Sequence, residues 1–135
     1  MDCGPTCLAM IVEYFGCDVN RDHLRECCAL GKDGVSLLGI SKAAETIGLK
    51  TIGGRTSFDS LTQEFPLPCI VHWNQNHFVV VHKIKKRKGL YSIYVADPSK
   101  GLMTYTKEEF CKHWISTQTD GIEKGIALLF EPTEY

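Results

Sequence analysis

The chain of 135 residues is long enough for one domain, which would bury roughly two thirds of the surface that its unfolded form exposes. An apolar fraction of 44%, a charged fraction of 23% and a formal net charge of -1 are those of a globular protein and leave no electrostatic footprint for nucleic acid. No run approaches the roughly 18 consecutive apolar residues that cross a bilayer, and the first residues lack the apolar core of a signal peptide, so the sequence reads as cytoplasmic.

The first half has a helical period. Leu8, Ile11, Val12 and Phe15 fall at i, i+3, i+4 and i+7, and Gly16 follows as a left-handed stop, so a helix begins at or just after Cys3. Asn20 caps a second expected helix through about Cys28. A third is expected from a Ser36 cap through Leu37, Leu38, Ile40, Ala43, Ala44 and Ile47 to Gly48, and LGKDG at 30–34 is loop.

Beyond Gly48 the signal turns strand-like. LKTIGGR at 49–55 is followed by a helical turn near 58–64 and then by PCIVHW, HFVVVHKI, LYSIYVAD and GIALLF. QN, KKRKG and DPSKG supply turn chemistry between them, and Thr106 with Glu109 forms a capping box for a helix containing Phe110 and Trp114. Helices first and an antiparallel sheet afterwards make an α+β fold. KKRK at 85–88, the one basic cluster, reads as a solvated hairpin tip in preference to a phosphate or lipid-headgroup patch.

Seven cysteines, at 3, 7, 17, 27, 28, 69 and 111, form an odd and irregular set that reads as reduced thiols. Neither Cys3-x-x-x-Cys7 nor the adjacent Cys27 and Cys28 has common zinc spacing, so no metal is expected, and acyl transfer by a thiolate, a base and hydrogen-bond donors would need no cofactor. Cys3 stands out, because unpaired N–H groups and the dipole at a helix amino terminus stabilise a thiolate; Cys7, one turn further on, reads as core.

Five histidines compete to serve as its base. His23 and His113 fall on predicted helices in charged surroundings and read as surface residues, and His72 reads as a partly buried, hydrogen-bonded histidine in preference to a neighbour of the site. If the hairpin joining HFVVVHKI to LYSIYVAD is centred on Arg87, His77 stands opposite Asp97 and His82 opposite Ser92. His77 then shares a face with a carboxylate able to orient its ring, and His82, of opposite parity, does not. Alone, Asp97 before Pro98 would read as a turn residue.

The stretches DCGPTCLAMIVEYFG, NHFVVVHKI and YVADPSKG, with GVSLLGISKAAETIGLKT and ALLFEP, resemble the peptidase C39 family, the domain at the amino terminus of ABC transporters that export peptides with double-glycine leaders. The resemblance covers nearly the whole chain. It implies a papain-like fold in which residues 1–135 form a single domain of a larger exporter. Cys3 would attack the carbonyl after the second glycine of a leader, His77 would carry the proton and Asp97 would hold the imidazole. The implied partners are a leader peptide and the membrane and nucleotide-binding domains of a transporter, and a rival reading is a docking module of the same family that does not cut.

A glutamine that the family places about six residues before the nucleophile, as an oxyanion donor, would fall before Met1 of this sequence; a start upstream of Met1 would make the domain an active peptidase, and a true start there a weakened form kept for binding. No Walker-type GxxxxGK[ST] sequence is present either, so the transport machinery is expected elsewhere.

Overall fold

The structure, a computed structural model, describes residues 3–16, 37–74 and 76–132. The expected helix through Cys28, its Asn20 cap, the loop at 30–34, the Ser36 cap and His23 lie outside the described residues. Helix α1 (Cys3–Tyr14) begins with Cys3 itself, and Pro5 falls in its first turn, where a missing N–H leaves no bond unmade. The apolar stripe of Cys7, Leu8, Ile11 and Val12 is buried, and Gly16 closes the helix at φ 76°. Helix α2 (Leu37–Thr46) buries Ile40, Ala43 and Ala44 and ends two residues before Gly48, also left-handed.

Seven antiparallel strands follow: β1 (Leu49–Ser57), β2 (Cys69–Trp73), β3 (His77–Arg87), β4 (Leu90–Asp97), β5 (Gly101–Tyr105), β6 (Ile115–Thr119) and β7 (Ile122–Pro132). Their order is β1-β7-β2-β3-β4-β5, with β6 also paired to β7. Two short helices interrupt them. In α3 (Phe58–Glu64) the Ser57 hydroxyl caps the Ser60 N–H, and α4 (Lys107–Trp114) carries the expected Thr106 and Glu109 capping box.

The sheet separates two cores. On one face Leu8, Ile11, Ile40, Ala44 and Leu49 pack with Ile70, Phe78, Val80, Leu128 and Phe130. On the other, Phe58, Leu61, Phe110 and Trp114 cover Val71, Val79, Val81, Ile93 and Val95. Gly125 is required there: a Cβ would lie 2.3 Å from the Trp114 ring, whose Nε1–H donates to the Ile126 carbonyl at 3.0 Å. Strands β5 and β6 were not expected from the sequence. Each is short, and only GLMTY and ISTQT stand at those positions, with no long β-branched run to announce them.

Candidate active site

The β3–β4 hairpin sets the geometry. Its turn is only Lys88–Gly89, both at positive φ (52° and 78°), so Arg87 pairs with Leu90 instead of forming the centre of the turn. Ser92 therefore stands opposite Lys85, not His82, which corrects the expected register by three residues. Carried through unchanged, an odd offset would put His77 and Asp97 on opposite faces.

A bulge between Val81 and Lys83, at His82, takes one residue back. Beyond it Val81 pairs with Val95 and Val80 with Ala96, so one further step sets Asp97 level with Val79. His77 is diagonal to Asp97, two residues from direct opposition but on the same face, within the reach of a histidine side chain. The Nε2 of His77 and the Oδ1 of Asp97 lie 2.8 Å apart. Since an ionised carboxylate only accepts, Nε2 bears the hydrogen of this bond, which leaves Nδ1 as the ring nitrogen that does not face Asp97.

Asp97 is the one buried charged side chain among the described residues, and His77 is nearly covered too. Ser99 supplies what the sequence reading missed: its backbone N–H and its hydroxyl each donate to the same Oδ1, both at 2.8 Å. The signal was present in DPSKG, because an aspartate that accepts from the residue two positions on is an Asx turn. The Lys100 N–H donates to the Asp97 carbonyl at 3.2 Å and closes that turn. Burial alone would raise the Asp97 pKa, but the hydrogen bonds from His77 and Ser99 outweigh it and hold the carboxyl below its ordinary value of 3.8.

Cys3 is 7% exposed at the first position of α1. One turn along, the Cys7 thiol donates to the Phe78 carbonyl at 3.3 Å, which ties the helix to β3 at the residue after His77. The Cys7 pKa is driven far up, by burial first and then by the charges of Cys3 and Asp97. Burial also pushes Cys69 up to about 12 and Cys111 up to about 11, so these three thiols stay protonated and inert at neutral pH.

The other described histidines go elsewhere. His113 lies at the surface as expected, partly covered there: its ring stacks on Trp73 at 5.0 Å, and its Nδ1 lies 2.8 Å from the Asn74 Oδ1 in an exposed bond. His72 is partly buried with its ring 5.2 Å from Phe78, and His82 is exposed in the bulge. No group of three or more His, Cys, Asp or Glu side chains is placed to hold a metal ion among the described residues.

A sheet-borne histidine and aspartate beside a helix that begins with cysteine is the frame of a papain-like cysteine peptidase. The Peptidase C39 family model matches residues 1–121, and the chain belongs to that family. It is 35% identical over 118 residues to the Lactococcin-G-processing and transport ATP-binding protein LagD of Lactococcus lactis, covering 84% of this chain and 16% of that protein. Identity to the Colicin V secretion/processing ATP-binding protein CvaB of Escherichia coli is 34%, over 84% of this chain and 16% of that one. The chain therefore spans about a sixth of the length of these curated relatives.

Among solved structures, a double glycine motif protease from an AMS/PCAT transporter, in complex with the leader peptide, superposes with a TM-score of 0.82 at 36% identity over 97% of this chain and 84% of that one. The peptidase domain of Streptococcus ComA superposes with a TM-score of 0.78 at 25% identity over 98% of this chain and 92% of that one.

Proposed function

We propose that this chain is the leader peptidase domain of a peptide-exporting ABC transporter, working on the cytoplasmic side of the membrane and cutting precursors after a Gly-Gly pair. The observation that carries the reading is the His77–Asp97 hydrogen bond of 2.8 Å in a chain whose first helix begins with Cys3. The solved relative bound to a leader peptide supports the substrate class. Residues 1–135 would form one domain, and its partners would be the leader and the transporter's membrane and nucleotide-binding domains.

In the proposed reaction the Nδ1 of His77 takes the Cys3 thiol proton, and the thiolate attacks the carbonyl carbon of the second glycine. The developing oxyanion is met by the N–H groups at the start of α1, whose dipole favours negative charge there. The protonated imidazole gives its proton to the leaving amine, leaving a thioester that water hydrolyses with His77 again as base. Asp97 remains ionised throughout and fixes the ring through Nε2, and Ser99 fixes Asp97. His77 is the first residue of β3 and leans to the side of Val79, whereas Cys3 belongs to the core on the other face. Thiol and imidazole would therefore meet around the end of the sheet, where the Cys7–Phe78 bond holds α1 against β3.

Two residues without side chains suit a narrow entry to such a site, and the leader's apolar helical face would dock on the domain surface. Leu38, in α2, is 64% exposed and available for that docking, whereas Phe58 is buried. The test is mass spectrometry of a synthetic leader ending in Gly-Gly, fused to a short cargo, after incubation with the chain and with its Cys3→Ala form. Cleavage after the second glycine that vanishes in Cys3→Ala is the expected result. A chain that binds the leader and leaves it intact, also when extended upstream to include the family's glutamine, would overturn the peptidase in favour of a docking module.

A further inference from the structure

The outer half of the β3–β4 hairpin takes no part in the site above. Lys83, Lys85, Lys86, Arg87 and Lys88 place five cations in six residues, and no Asp or Glu stands anywhere from His77 to Ala96, in a chain whose net charge is -1. All five are exposed, and none is ion-paired among the described residues. The bulge decides how they are displayed. Past it Ile84 turns inward to the core of Phe58 and Ile93, so Lys83, Lys85 and Arg87 stand in a row on the opposite face, about 7 Å apart. Their partners across the ladder are Tyr94, Ser92 and Leu90.

Leu90, at the tip beside Arg87, is 75% exposed. The ammonium groups of Lys83 and Lys85 lie 5.7 and 5.6 Å from the same Tyr94 ring, so two like charges are held close together with no anion between them. Lys85, through its side-chain contact and its charge, pulls the Lys83 pKa down. An unbalanced cationic row of this kind is completed by an anionic surface.

We propose that this hairpin tip docks on a bilayer surface rich in anionic phospholipid, the cations meeting headgroup phosphates and Leu90 entering the boundary with the acyl chains. A free phosphate would require a concave cradle, and this is a strand row open along its length. A single-stranded nucleic acid would require free aromatic faces for stacking. Here Tyr94 is covered by two ammonium groups, and Tyr91 packs on Phe58 with the Lys86 ammonium 5.2 Å from its ring. Cations rimming one exposed leucine fit the charged headgroup layer above an apolar one. The structure shows the solvated hairpin tip that KKRK at 85–88 predicts, and the anionic bilayer is the occupant proposed for that tip.

The experiment is co-sedimentation of the chain with vesicles of phosphatidylcholine alone and of phosphatidylcholine mixed with phosphatidylglycerol in equal parts, at low and high salt, with thermal unfolding of every variant as the folding control. Binding to the anionic vesicles alone, weakened by salt, is expected. Each charge removed should lower the partition coefficient about fivefold, so that Lys85→Gln with Arg87→Gln loses on the order of 25-fold, and Leu90→Ser should weaken binding with every charge in place. Equal binding to both vesicle types, or none to the anionic ones at low salt, would overturn the proposal. So would Leu90→Ser without effect together with displacement by inorganic phosphate or a short RNA, which would make the tip a purely electrostatic site for a soluble anion. Leader cleavage is not the readout, so failure here leaves the peptidase reading standing, and the converse also holds.

Discussion

The two halves of the β3–β4 hairpin share their strands and little else. The inner half, from His77 to Val81 against Val95 to Asp97, is covered on both faces: Phe78 and Val80 face α1, and Val79 and Val81 face α4. The outer half, from Lys83 to Tyr94, is covered on one face only and shows its cations to solvent on the other. Between them lies the bulge at His82. A ladder held on both faces can position a histidine against an aspartate to within a hydrogen bond, because neither strand can slide without exposing buried valines. One held on a single face can carry charge at little cost, since surface positions tolerate polar change.

That contrast can be sharpened first by pairing one substitution from each half. His77→Ala is expected to lower kcat for leader cleavage by about 10³-fold, the usual contribution of a positioned base, whereas Lys85→Ala should change it by less than about twofold. Steady-state kinetics on both variants is the check, and a comparable loss in Lys85→Ala would show that the halves are not independent.

The next largest effect tests the bulge. Deleting His82 forces either Ile84 outward and Lys83 and Lys85 toward Phe58, or the equivalent flip of the inner half, and should cost about 2–4 kcal/mol. His82→Ala keeps the extra residue and should stay within about 0.5 kcal/mol of the parent. Urea midpoints decide between them; a deletion as harmless as the substitution would mean that the bulge does not set the faces.

A smaller effect belongs to Ser99. Ser99→Ala removes one of its two hydrogen bonds to Asp97 and should cost about 1 kcal/mol, roughly a fivefold fall in kcat with KM nearly unchanged, and Ser99→Thr, which keeps the hydroxyl, should recover most of it. A change confined to KM would point to substrate contact in place of positioning.

The smallest is a pH effect. The Asp97 pKa in the folded chain lies below its ordinary value of 3.8, so the ionised carboxylate contributes stability that is complete well above that value and is lost as the pH falls below 3.8 toward the folded pKa. Asp97→Asn should be less stable than the parent near neutral pH by about 1 kcal/mol or less, and the gap should close in acid. Denaturation curves across pH would show it, and a gap that widened in acid would reverse the sign assigned here.

How much of this was legible beforehand differs from element to element. Local features were: the apolar stripe of α1 with Cys3 at its head, the left-handed Gly16 and Gly48, the Thr106 and Glu109 capping box, and the runs that became β2, β3, β4 and β7. Each depends on residues within one turn or one strand, which sequence spacing states directly. Ser99 was legible in principle, two residues from Asp97, and the turn residues concealed its role. The pairing of His77 with Asp97 was anticipated through a register that was wrong at both of its steps, since the tight Lys88–Gly89 turn shifts the strands by three and the bulge returns one.

The order of residues along the chain chose the side chains and the local elements that carry them. The face on which they meet was set by packing between strands and helices distant in sequence. Nothing in VVVHKI marks His82 as the residue left out of the ladder; it is excluded because Val79 and Val81 on one side of it and Ile84 on the other must all reach the same core. Face choice is a property of burial summed over neighbouring strands and helices, and no single strand contains that information.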